Sequence, residues 1–273
     1  MSASRSAKVR KSVRANAGMT LNELLVVITI IAVLVAIIMP TIANTRQAAY
    51  KTGALKQLQT LSQASMLYSA DYDTFIAPST NYGVSEDDEG RMWTQTLFTY
   101  AGHNKQPFIA KGSNGQYPGS WKLRGWGSFG MNSATALDLI NGCDETQLDK
   151  SSCSAFNEPV IVDKSLNPSA IPLFTSTPAG DTAKNYRGWE FNPYNGLERD
   201  SNIMESAPLV SDRDLVQEFV VLPGDYIKAV YARYNATGKD EGFAPIVFAD
   251  GHAKVFSAKQ IAYGKTGILW RFR

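Results

Sequence analysis

Apolar and polar positions divide the chain into unlike stretches. Residues 1–18 carry Arg5, Lys8, Arg10, Lys11 and Arg14 and no acid. From Leu24 to Met39, sixteen residues pass without a charge, and all but Thr29 are apolar. Beyond Pro40, the residues Ala54, Leu58, Leu61, Ala64 and Tyr68 recur at three- and four-residue steps, while Arg46, Lys51, Lys56 and Gln57 fill the other faces. That spacing is the apolar stripe of an amphipathic helix. The two stretches together predict one helix from Met19 to about Ala70, some 52 residues or roughly 78 Å at the usual rise. Gly53 weakens it by about 1 kcal/mol relative to alanine. Pro40 removes one backbone hydrogen bond and predicts a kink without ending the helix. Asp71-Tyr72-Asp73 and Pro78 end it.

The pattern then changes period. Residues 79–90 are polar and contain Glu86-Asp87-Asp88-Glu89. Residues 91–130 are rich in aromatics and Gly, with Trp93, Phe98, Tyr100, Trp121, Trp126 and Phe129. The C-terminal half reads as short strands at Val160–Val162, Ile171–Phe174, Phe219–Leu222 and Tyr226–Tyr231. Its clearest signal is Ile246–Ala249, then Asp250-Gly251, then His252–Phe256. Asp-Gly between two β-rich runs marks a hairpin turn, because Gly tolerates positive φ. The fold class is therefore α+β, with the amphipathic half of a long helix packed on a mainly antiparallel sheet. The implied organisation is residues 1–18 as a basic leader, 19–40 as the apolar half of the helix, 41–70 as its amphipathic half, and 71–273 as a globular head.

Charge changes the picture of partners. The formal net charge is +2, but residues 1–18 hold five of the basic groups. Without them Lys and Arg fall from 27 to 22 against 25 Asp and Glu, leaving −3 on the side chains. That balance does not suggest a nucleic-acid binder. A basic tail before an apolar run is an export signal held on the cytoplasmic side. No second long apolar run follows, so a single membrane segment is expected, with the head beyond it in the periplasm.

Two features set this junction apart: Gly18 immediately before the run, and Glu23 at its mouth. A carboxylate within a membrane helix is expensive and is kept for a partner. If the chain is cut after Gly18, Met19 supplies a new α-amino group. Glu23 then lies about one helical turn from it. The acid can pair with its own terminus or with that of a neighbouring subunit, and the second option makes the pair an assembly device.

Gly18-Met19-Thr20-Leu21-Asn22-Glu23-Leu24 resembles the class III signal of type IV prepilins and type II secretion pseudopilins. The resemblance covers about residues 8–70. It implies cutting after Gly18 by a membrane prepilin peptidase, N-methylation of Met19, and an assembly role for Glu23. The usual first mature residue of the family is Phe; Met19 stands there in this chain. Pro40 matches a frequent helix-kinking proline of the family. The implied partners are the peptidase, the inner-membrane assembly platform, the lipid bilayer and other pilin or pseudopilin subunits. Tyr68–Asp73, Ser128–Asn132 and Phe248–His252 are similar to elements of a pseudopilin-like group common in planctomycetes and their relatives. In that group nine residues usually stand between a His and the Asp-Gly. Here that spacing lands on Asp240, so no role is carried over to it.

Two plainer readings of the first 43 residues compete. One is a secretory signal cleaved after Thr41-Ile42-Ala43, although its apolar core exceeds the usual 7–15 or so and leaves Glu23 unexplained. The other is an uncleaved signal anchor holding a periplasmic binding module or enzyme. At sixteen residues the run is short against the roughly 20 needed to span, though Met19–Leu21 extend it.

Other candidate chemistry is sparse. Cys143 and Cys153 are the only cysteines, and in an exported domain two such residues form a disulfide by default, with two separate buried thiols as the alternative. The only histidines, His103 and His252, are far from that pair in sequence, so no zinc set is expected. The Glu86–Glu89 run offers hard oxygen ligands for calcium, yet four consecutive acids cannot all face one ion and no calcium-loop spacing is present. It reads as a solvated loop. Gly125-Trp126-Gly127-Ser128-Phe129-Gly130 matches G-x-G-x-x-G in form, but no β-rich run precedes it. The neighbouring aromatics suit a core, with a sugar-binding face formed by Trp121 and Trp126 as the alternative. Asp250 and Gly251 read as turn formers. A catalytic Asp250–His252 pair is disfavoured because the turn should break the shared face of alternate strand residues and no nucleophile motif accompanies them. No cofactor and no enzymatic activity are expected.

Overall fold

In a computed structural model of the chain, the described residues are 19–85, 88, 90–113, 128–142, 157–161, 167–178, 189–191, 210–211, 230–236, 241–263 and 267–270. One helix, α1, covers Leu21–Asp71 without a break and contains Pro40, within two residues of the expected bounds. The chain divides into two compact units, Met1–Thr45 and Arg46–Arg273.

In the first unit α1 is apolar on every side, and its large side chains from Leu24 to Ile42 are exposed. A helix hydrophobic all round needs a core or a lipid phase to cover it. In the second unit the same helix is amphipathic. Ala54, Leu58, Leu61, Ser62, Ala64 and Ser65 are buried, and Tyr68 is half-buried against the core. The expected stripe is thus the buried face, widened by two serines.

That face packs on a five-stranded mixed sheet. Its strands are β1 (Phe129–Asn132), β2 (Pro172–Ser176), β3 (Glu190–Phe191), β6 (Phe243–Phe248) and β7 (Ala253–Ser257), in the order β3-β1-β2-β6-β7. Three of its four pairings are antiparallel; β1 and β3 run parallel. A separate parallel pair joins β4 (Val210–Ser211) to β5 (Val230–Tyr231). Helix α2 (Trp93–Tyr100), a short C-terminal helix, α3 (Ala258–Tyr263), and two 3-10 turns at Gln106–Phe108 and Ser133–Thr135 complete the described elements.

Strand alternation fills both sides of the sheet. Val247 points into the cluster that contains Leu58, Leu61, Trp93, Phe129 and Phe174. Ala244, Ile246 and Phe248 point into the other, with Phe256, Ile261 and Trp270. Of the expected strands, Ile161 forms only an isolated bridge to Phe75, Val230–Tyr231 is shorter than expected, and 219–222 lies outside the described residues. Strands β1 and β3 and helix α2 were not expected. They sit in aromatic-rich sequence whose two buried faces erase any simple alternation.

A polar network ties the head together. Glu190 is fully buried. Its Oε1 accepts from the Ser79 hydroxyl at 2.8 Å and the Thr80 hydroxyl at 2.6 Å. Thr80 Oγ1 accepts in turn from the Trp189 indole at 3.0 Å, and the Trp93 indole donates to the Trp189 carbonyl at 2.7 Å.

The Asp250-Gly251 turn joins β6 to β7 as expected. Gly251 has φ +89°, and its N–H donates to the Phe248 carbonyl at 2.9 Å. A Cβ at Gly251 would lie 2.4 Å from Met66 Cε, so the turn rests against α1. Gly251→Val combines a strained positive φ with that clash, and should destabilise the head by about 1–3 kcal/mol, read as a lower denaturant midpoint.

Candidate assembly site at the head of the long helix

The sequence Thr20-Leu21-Asn22-Glu23 starts α1 as a capping box, a Thr followed three residues later by Glu. The Glu23 carboxylate accepts from the Thr20 backbone N–H and from the Thr20 hydroxyl, both at 2.8 Å. The Glu23 N–H donates back to Thr20 Oγ1 at 3.3 Å. The N–H groups of Thr20 and Glu23 are thereby satisfied, and the acid sits at the positive end of the helix dipole. Glu23 thus has a local role besides any pairing with an amino terminus. The T-x-x-E spacing ahead of an apolar run is the sequence signal of this cap. Met19 precedes the helix and is 65% exposed. Gly18 lies outside the described residues.

Below this cap the apolar stretch contains no loose polar group in its middle. The Thr29 hydroxyl donates to the Leu25 carbonyl at 2.7 Å, which hides it as a membrane helix requires. Pro40 has no N–H, so the Ala36 carbonyl loses its usual helical donor. The helix nevertheless continues through it. α1 is long and apolar enough to cross a membrane, and none of its most apolar eighteen-residue window is buried by the rest of the chain.

A pocket lies beside the Asp250-Gly251 turn. It has a volume of about 310 Å³ and is lined by Ser65, Met66, Ser69, Ile76, Leu173 and Asp250, among others. Contrary to the expectation that the turn would separate them, Asp250 and His252 meet. His252 Nδ1 lies 2.6 Å from Asp250 Oδ1. The reason is local: Asp250 folds over the turn, and the same Oδ1 accepts the His252 N–H at 3.1 Å. The His252 ring stacks on Phe248 with centroids 4.3 Å apart. Both contacts brace the turn from within.

No family model, curated protein or solved structure matches this chain.

The remaining candidates divide by position. Among the described residues no group of three or more His, Cys, Asp or Glu side chains converges on a metal-sized site. Of the acidic run only Asp88 is described. Cys143 and Cys153, and the aromatic residues Trp121 and Trp126, lie outside the described residues. Trp93 and Phe129 are fully buried and fill the core as expected, with Phe108 buried beside Trp93.

Proposed function

We propose that the chain is a prepilin-like structural subunit. A prepilin peptidase cuts it after Gly18 and methylates Met19; α1 holds it in the inner membrane with its head in the periplasm. It is then drawn into a type IV pilus or a type II secretion-type filament. The observation that carries the reading is a single helix with two characters. Its capped, apolar half is exposed among the described residues, while its amphipathic half is the spine of an α+β head. Such a half-covered helix is stable in lipid, and equally among copies of itself. Moving from one to the other is physical work without bond chemistry in the head, so no catalytic residue is assigned. Glu23 meets an α-amino group where water is scarce, and a misregistered subunit would leave both charges unpaired.

The pocket beside the Asp250 turn favours a second reading, a membrane-anchored periplasmic binding module. One measurement separates the two. Intact mass and N-terminal sequence should be determined for protein expressed with and without a prepilin peptidase. A mature chain beginning at singly methylated Met19, seen only with the peptidase, is expected. An uncut chain would instead support the anchored module, and a cut near Ala43 would remove the membrane segment and with it the filament reading.

A further inference from the structure

Charge is unevenly spread over the head. Residues 24–70 contain Arg46, Lys51 and Lys56 and no Asp or Glu, and residues 101–113 contain Lys105 and Lys111 and again no acid. The fold brings these two acid-free segments together. The Gln57 side-chain amide donates to the carbonyls of Gln106 and Ile109, fixing the 104–112 loop along α1. Gly53, an odd residue for a helix interior, has a reason here. A Cβ at that position would lie 2.9 Å from Lys111 Cδ and 3.5 Å from Nζ. The missing side chain makes room for the Lys111 stem and seats its ammonium group beside α1. Gly112, at φ +86°, lies over the Tyr50 ring in the same way.

The cations so gathered are presented outward. Arg46, Lys56 and Lys111 are exposed, and Lys51 is half-buried with its ammonium 4.9 Å from the Phe243 ring. The Arg46 Nε–H donates to the Tyr50 hydroxyl at 2.7 Å, which stiffens its guanidinium. Among the described residues none of these four has a carboxylate partner. Toward the other end of the amphipathic half, Asp71 closes the helix and Asp250 lines the pocket with Ser65 and Ser69. Along the chain, the basic stretch follows directly on the apolar one. Arg46 is four residues beyond Ile42, no more than about 14 Å even along a fully extended chain.

We propose that this basic end of the head is a docking surface for the phosphate headgroups of an anionic phospholipid bilayer. The inference rests on the reading that α1 sits in a membrane, but not on the filament. Guanidinium and ammonium groups suit phosphate oxygens, the first as a fork and the second as a point charge. Each such cation near an anionic surface strengthens attachment by roughly fivefold. A head held this way resists leaving the bilayer, and neutralising the surface releases it.

Hydrogen exchange on the full chain in nanodiscs tests the proposal. One set of discs holds phosphatidylglycerol and phosphatidylcholine in equal parts; the other holds phosphatidylcholine alone. Exchange at 46–57 and 104–112 should slow at least fivefold in the anionic discs. About 1 M salt should abolish the difference, because the Debye length falls to about 3 Å. The triple variant Arg46→Gln, Lys56→Gln, Lys111→Gln should exchange alike in both lipids, while protection of the β6–β7 hairpin shows that it is folded. Equal exchange of the native chain in both lipids, with 24–42 protected, overturns the docking surface alone. Fast exchange at 24–42 overturns the membrane reading and the docking surface with it. Protection that depends on the number of copies per disc and not on the lipid also overturns it, and assigns the basic end to an acidic face of a second copy.

Discussion

Glu190→Leu will unfold the head or bring it close to unfolding. The substitution removes the oxygen that accepts from both the Ser79 and Thr80 hydroxyls. Both hydroxyl residues are fully buried, so water cannot replace the lost acceptor. A buried hydroxyl left without a partner costs about 1–3 kcal/mol, so the two together cost about 2–6 kcal/mol. Native domains have only about 5–15 kcal/mol in total. The damage would spread along the network, because Thr80 Oγ1 also holds the Trp189 indole. Glu190→Gln keeps an oxygen for the two hydroxyls and should cost much less. Denaturant unfolding followed by tryptophan fluorescence reads the effect, since Trp93 and Trp189 both belong to the network. A Leu variant with an unchanged midpoint would show that the carboxyl group is not what organises this core.

Glu190 also shows what the sequence hides. It lies in Trp189-Glu190-Phe191, which pairs in parallel with β1, and its partners are more than a hundred positions away. No local pattern announces such a contact. The long helix is the opposite case. Its uncharged run and its 54-58-61-64 stripe are set by spacing within a few turns, and the helix they predict agrees with α1 to within two residues at each end. The β6–β7 hairpin was legible for the same reason, since Asp250 and Gly251 specify the turn by themselves. The basic end of the head is intermediate. Each acid-free segment is visible in the sequence, but only the fold shows Lys111 seated against Gly53.

The capping box divides the role of Glu23 into two parts that mutation can separate. Glu23→Gln retains a side-chain acceptor for the Thr20 N–H and hydroxyl, as capping boxes built on Gln do. It loses the negative charge. Glu23→Ala loses both. If the carboxylate pairs with a methylated amino terminus during assembly, both variants should be processed at Gly18 and both should fail to enter filaments, with incorporation falling at least tenfold. Thr20→Val weakens the cap while keeping the acid, and should assemble at close to the native level. If the acid serves only to start the helix, the ranking changes. Gln would then assemble normally, whereas Ala and Val would both be impaired. Mass spectrometry of the membrane fraction establishes processing, and the amount of subunit in sheared or sedimented filaments establishes incorporation. Normal incorporation of Glu23→Gln would defeat the charge-pairing mechanism while leaving the capping role intact. Poor incorporation of Gln beside good incorporation of Val ties assembly to the charge itself, which no helix cap needs.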